Sequence, residues 1–593
     1  MSKRIFLIVL VFMFSLSGNA KVSLNNIFDN NMVLQRDKPV RIWGWASPGE
    51  KVQVSFKSQH LQTEADEKGE WQVYLKPMPA STSPHSLTVT GEENQIVYSN
   101  ILLGDVWILG GQSNMEFHLE KVYDGDLEIL AAKNNNIRLM TIPYASSARK
   151  GLDNIERLSQ FNPWDGTYED KGSWSPCYSD KARQFSSLGY MFGKTLQQIT
   201  EIPIGLIDAS RGGTTMEGWL SPEMLASMPE NAALLEMWEA QVKAYDPKKV
   251  LKQEIENWEK RSESRKKQGL QPGPKPTEPS PSPIESFQYP GASYNGFIHP
   301  IAGFAVKGVI FNHGYNNALG DSRPQLYAAN FNAFITDWRK TFNDENLPFG
   351  IIELTAGGKA QTMDNYEAAM FDAAPYIREG QYMAYLKNKN VGYCCAYDQQ
   401  VEWYHPYKKL PLGVRMARWA LAEVYGYSDI VWEPAKVVKT EKTQDNAIVV
   451  TFDKEVKSTD DRPIEGFAIA ASDGRFYPAK AVYPETGKNE RGKIQYDKTK
   501  LIVSSNLVQH PVAVRYAWAR NPLANLVSDR IIPVPQFRTD SWNYPEAPYL
   551  DWNSQGFAEF RAMVRGKLKQ AEQFAQDRKL KEAGYLLKNA KTE

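Results

Sequence analysis

The chain has 593 residues, of which 69 are basic and 69 acidic. That length exceeds what one hydrophobic core supports and implies about three domains. Balanced charge excludes the basic excess that a nucleic-acid surface needs, so no nucleic-acid partner is expected.

Met1 to Ala20 reads as a cleavable signal peptide: Lys3 and Arg4, then apolar Ile5 to Leu16, then small Gly18 and Ala20. Without Lys3 and Arg4 the count becomes 67 basic against 69 acidic, a formal charge of −2. The chain is therefore expected to be secreted or periplasmic. No cysteine beside the cleavage point offers a lipid anchor, and no later run is apolar enough to span a bilayer. Cys177, Cys394 and Cys395 form neither a disulfide framework nor a zinc pattern and are expected to be buried, idle thiols.

Residues 21–103 carry short alternating runs, such as Val40 to Trp45 and Lys51 to Phe56, separated by turn signals. They predict a β-sandwich-like domain without residues for chemistry. Residues 104–427 alternate apolar strands (Val106–Leu109, Ile204–Ile207, Ala305–Phe311, Phe349–Leu354, Val391–Ala396) with helical spacing (Leu188–Ile199, Tyr327–Phe342, Tyr376–Lys387, Leu412–Val424). That alternation predicts an α/β domain, a parallel sheet flanked by helices, with ligands beyond the carboxyl ends of its strands. Within it, about 228–290 reads as a helical and Pro-rich excursion, or as a lid. Residues 428–545 are again strand-like and predict a C-terminal β domain. Residues 546–593 follow a Pro-rich joint and form an amphipathic helical tail, packed on the body or on a partner.

Within the α/β domain, Gly104 to Glu116 (Gly-Asp-Val-Trp-Ile-Leu-Gly-Gly-Gln-Ser-Asn-Met-Glu) begins as a strand and breaks at Gly110-Gly111. It continues with helical spacing through Met115, Phe117, Leu119 and Val122. Ser113 thus stands at a strand-to-helix turn, where a hydroxyl is lifted clear of the sheet and backbone N–H groups point at the ligand. On spacing alone this is a nucleophile or a plain turn.

The words Gly104-Asp-Val-Trp107 and Gly111-Gln-Ser-Asn-Met115 resemble the nucleophile block of the sialate O-acetylesterase family, SGNH-type serine esterases on a flavodoxin-like sheet. The similarity runs from about Asn26 to about Trp542. It implies a serine esterase removing O-acetyl groups from carbohydrate, foremost O-acetylated sialic acid, without metal or cofactor. His405, in Val401-Glu-Trp-Tyr-His-Pro406, matches the family's base. The acid three residues before it is Glu402, where SGNH enzymes in general place an Asp; Asp398 competes, and Trp403 stands where sialate O-acetylesterases usually show an Asp. Ser210-Arg-Gly-Gly-Thr-Thr resembles the glycine block, giving Gly212 or Gly213 as oxyanion donors with the Asn317 amide. In Asn312-His-Gly-Tyr-Asn-Asn-Ala318 the family's Gln becomes His313 and its Glu becomes Tyr315. Gln112, His313, Tyr315 and Arg211 are therefore candidate pocket residues, and Arg211, Arg323 and Arg378 candidate cations for a sialate carboxylate. A xylan- or pectin-type acetylated glycan is the alternative substrate. A carbohydrate-binding protein on a decayed esterase is the alternative class.

Overall fold

The computed structural model describes residues 21–145, 150–162, 166–318, 324–545 and 555–589. The expected signal peptide, Arg323 and the Pro-rich joint lie outside them.

Seven strands make the part of the fold that carries the site: β1 (Gln95–Gly111), β2 (Lys133–Thr141), β3 (Ser175–Tyr178), β4 (Ile204–Ser210), β5 (Gly308–Asn312), β6 (Phe349–Ile352) and β7 (Val391–Cys394). Their spatial order is β3-β2-β4-β1-β5-β6-β7, all parallel except antiparallel β3 at one edge. The expected mixed α/β class holds.

The inner part of β1, from Ile101 to Gly111, sits at the centre and is buried on both faces. Trp107 and Leu109 enter one core with Leu188, Phe192 and Leu196 of the helix Ser187–Thr200, and with Leu412, Met416 and Trp419 of the helix Leu410–Trp419. Val106 and Ile108 enter the other, with Tyr327, Phe331 and Trp338 of the helix Pro324–Thr341 and Ile377 of the helix Ala374–Lys387. Successive side chains alternate between faces, so a strand covered on both sides reads as an unbroken apolar run.

β1 is also far longer than its apolar core. Its first half pairs with Ser81–Thr90 and Val33–Gln35, and its second half with β4 and β5. The expected boundary between residues 103 and 104 falls inside this strand. Residues 437–538 add two four-stranded antiparallel sheets.

The helical run expected beyond Ser113 is short. Only Ser113–Glu116 is helical; the chain turns extended at Phe117 and resumes as a 3₁₀ turn, Leu119–Lys121. The backbone at His118 bridges Ser186 instead, and the Leu119 N–H donates to the Phe185 carbonyl, so tertiary pairing overrides the helical spacing. The excursion contains the helices Ala232–Ala244 and Pro247–Lys267 followed by irregular chain. All three cysteines are free and buried.

The tail helix Gln555–Asn589 packs on the body. Phe560, Ala571 and Ala575 are buried, Arg475 stacks on Phe574, and Arg578 donates to Glu367 at 2.6 Å with both side chains almost fully covered. Removing one member of a covered ion pair strands the other's charge. Arg578→Ala should therefore speed proteolytic loss of the tail roughly tenfold or more; digestion rates of the variant and parent chains check this.

Candidate active site

β1 ends on Gly111, whose φ is +126°. A Cβ there would lie 2.0 Å from the Asn312 carbonyl oxygen of β5, so only glycine permits the approach. The Gln112 N–H donates to that same carbonyl at 3.1 Å, and the chain turns into Ser113. The nucleophile turn is thus stitched to its neighbouring strand before the serine is reached.

Ser113 Oγ lies 2.8 Å from His405 Nε2. His405 sits on an irregular loop between β7 and the helix Leu410–Trp419, beyond the carboxyl end of the sheet. Phe117 stacks on the imidazole with centroids 5.6 Å apart, and Trp403 meets it edge-on at 4.6 Å. Burial, aided by the charge of Lys409, lowers the imidazole pKa from its ordinary value to about 4.

Asn114 ties the two segments together. Its amide nitrogen donates to the Tyr404 carbonyl at 3.2 Å and to Thr355 Oγ1 at 3.0 Å, while its oxygen accepts from Lys409 Nζ. Lys409 is wholly buried, which depresses its own pKa. Gln112 makes a second clamp: its side-chain oxygen accepts the Gly314 and Tyr315 N–H groups at 2.8 and 3.0 Å. The residues flanking the serine therefore hold the base loop and the segment after β5. Asn114 and Lys409 were not among the expected site residues, although Asn114 lies inside a word that carries the resemblance and Lys409 three residues beyond another.

Glu402 is exposed on the His405 loop. Asp398, its competitor, gives both carboxylate oxygens to Arg415, at 2.8 and 2.6 Å.

Two of the expected oxyanion donors, the Gly212 N–H and the Asn317 amide, already have acceptors. The Gly212 N–H donates to Glu116 Oε2 at 2.7 Å. Glu116 is buried and also accepts from Asn162 at 3.3 Å. Burial raises its pKa to about 7, against the pull of Lys171 and that same backbone hydrogen bond, with Asp208 and Glu169 adding to the rise. The Gly213 carbonyl accepts from Gln288 and Asn316. The Asn317 amide nitrogen faces the Glu217 carboxylate at 3.1 and 3.3 Å, and its oxygen accepts the Met216 N–H at 3.0 Å.

A cavity of about 440 Å³ opens beside Ser113 and His405. Glu116, His118, Lys121 and Asn162 give it polar lining; Phe117, Trp403, Tyr404 and Tyr407 give it aromatic lining. The four expected pocket residues are not part of it. Gln112 is spent on the clamp just described. Arg211 lies between the rings of Tyr144 and Phe287, at 4.7 and 4.5 Å. His313 is buried and stacks on Phe311 and Tyr327, and burial drops its pKa to about 3. Tyr315 lies behind Tyr404, with ring centroids 5.0 Å apart and Arg520 over its face. The departures at 313 and 315 thus fill the interior beneath the base loop and leave the cavity lining to other residues. Arg378 is fully buried, donating to the carbonyls of Leu354, Ala519 and Arg520, and cannot meet a substrate.

Residues 103–245 match the family model of carbohydrate esterases described as sialic acid-specific acetylesterase. The chain is 24% identical to sialate O-acetylesterase of Mus musculus over 573 residues, covering 90% of this chain and 97% of that one. It is 25% identical to the Rattus norvegicus enzyme of the same name over 545 residues, 86% of this chain and 92% of that one. A crystal structure of a carbohydrate acetylesterase from Xanthomonas citri matches with a TM-score of 0.68 at 28% identity, covering 88% of this chain and 100% of that one. The expectation of a carbohydrate esterase is borne out. So is the narrower resemblance to the sialate O-acetylesterases, which the sequence carries around Ser113.

Proposed function

We propose that this chain is a serine esterase that removes O-acetyl groups from carbohydrate, with O-acetylated sialic acid as the favoured substrate. The observation that carries the reading is the 2.8 Å contact between Ser113 Oγ and His405 Nε2, two atoms 292 residues apart in sequence. A serine hydroxyl is a weak nucleophile until a base within hydrogen-bond reach can take its proton.

For Nε2 to accept that proton, the resting imidazole must be neutral with its hydrogen on Nδ1. Nε2 takes the Ser113 proton as Oγ bonds to the acetyl carbon. The tetrahedral intermediate collapses, the sugar oxygen leaves with the proton from Nε2, and the acetyl group stays on Ser113. Water then attacks with His405 again as base, releasing acetate and restoring the serine. No metal or cofactor takes part in these steps.

The N–H groups of Ser113 and Gly212 hold the oxyanion in this scheme. Gly212 is supported by where its N–H points: it donates at 2.7 Å to Oε2 of Glu116, a residue that lines the cavity beside Ser113. The orienting role at Nδ1 goes to Glu402, since Arg415 holds both oxygens of Asp398. Asn317 and Gly213 act by shaping the turns that aim these groups.

The second half of β1 with β4, β5, β6 and β7 forms the flavodoxin-like core of an SGNH hydrolase, with β4 and β5 flanking β1. Residues 21–103 and 428–545 are its β-sandwich-like companions, and residues 1–20 export the chain to the periplasm or beyond. Among the described residues no helix is long and apolar enough to cross a membrane.

Ser113→Ala should lower kcat/KM for an aryl acetate by at least about a thousandfold; retained turnover in acetate-release assays refutes the assignment. Glu402→Gln should cut kcat roughly tenfold or more, while Asp398→Asn should lower Tm more than kcat; the reverse ranking gives the orienting role to Asp398. The base works only when neutral, and burial favours its neutral form. Activity should therefore persist as pH falls through the ordinary histidine range and be lost only toward about 4. The acid limb of the kcat/KM profile measures this.

A further inference from the structure

The cavity beside Ser113 has two unlike kinds of lining, aromatic and polar. Trp403, Tyr404 and Tyr407 are 45%, 50% and 47% exposed and all three line this one cavity. They come from the base loop, and Trp403 and Tyr407 lie with ring centroids 5.5 Å apart. The same cavity is also lined by Glu116, His118, Asn162 and Lys121. A sugar ring likewise presents an apolar C–H face and a polar rim of hydroxyls, and a pocket of this size and mixed lining suits one such unit.

Lys121 differs from its polar neighbours. It is exposed, and among the described residues its ammonium makes no ion pair. Adjacent Glu120 is directed to Arg183 at 3.4 Å and to His118 at 3.9 Å, and Glu169 to His118 and Lys171 at 2.8 and 3.0 Å. The backbone beside Lys121 is fixed to the aromatic loop, since the Tyr123 N–H donates to the Tyr407 carbonyl at 3.0 Å. Two other candidate cations for a carboxylate are withdrawn from the cavity: Arg378 binds backbone carbonyls and Arg211 lies between two rings.

We propose that this cavity is a subsite for one anionic sugar, in which Lys121 pairs with the carboxylate of an O-acetylated sialic acid while Trp403 and Tyr407 pack on its C–H face. The inference rests on the esterase reading of Ser113 and His405 and deepens it. It assigns acid-sugar selectivity to a lysine of the nucleophile segment, where neutral acetylated glycans gain nothing.

The test compares an O-acetylated sialic acid with its methyl ester, which keeps the acetyl group and ring but removes the charge. In the parent enzyme the methyl ester should show a KM about fivefold higher, the upper range for an exposed ion pair. Raising salt from low to high should erode that difference by screening. In Lys121→Met the ratio of the two KM values should fall to near one, whereas Tyr407→Ala should raise both KM values and leave the ratio in place. Equal KM values in the parent, no turnover of either compound by enzyme that hydrolyses an aryl acetate, or an unchanged ratio in Lys121→Met would overturn the proposal. None of these touches the esterase reading, which stands or falls with Ser113→Ala on the aryl acetate.

Discussion

Asn114 joins two loops that the sequence keeps almost three hundred positions apart. One face of its amide holds the Tyr404 carbonyl, beside the base; the other receives the Lys409 ammonium just past it. The serine is its immediate neighbour, so the spacing between Ser113 and His405 follows from three hydrogen bonds and a buried cation. Those bonds are strong because they are dry. Lys409 and Asn114 are both buried, where a lost partner leaves a polar group stranded. The geometry of the pair is in this sense a by-product of the clamp.

Burial also sets the electrostatics. The same enclosure moves His405 and Glu116 in opposite directions, because each is pushed toward its neutral form. A neutral imidazole is the form that accepts a proton from serine. A carboxyl that resists ionisation can rest against the Gly212 N–H without placing a full negative charge where another must develop. Two groups of unlike chemistry are thereby made compatible with one oxyanion.

Much of this was legible in the sequence. The unbroken run Val106 to Leu109 announced a strand buried on both faces, and Gly110-Gly111 its abrupt end. His405 stood out because its word, Val401 to Pro406, resembles the one that carries the family's base. The cavity lining was not legible, because it is assembled from the nucleophile turn, the end of the strand Leu158–Asn162 and the base loop, with no spacing rule between them. Nor was the fate of His313 and Tyr315. A substitution near a motif does not say which way the side chain points, and both turned inward onto aromatic neighbours. The helical spacing after Ser113 misled for a related reason: Leu119 is apolar because it is buried, yet its backbone pairs across to Phe185.

The length of β1 has a mechanical consequence. One strand, bulged at Asn100 where φ is +57°, runs from a ladder with Ser81–Thr90 into the ladder with β4 and β5, without a loop between them. Two modules that share a beam cannot swing as separate bodies, because a bend at their junction would break paired amides on both sides at once. The N-terminal module thus stiffens the arm on whose tip the serine is carried. Cutting it away would bare the outer stretch of that arm, leaving a raw sheet margin open to any passing strand.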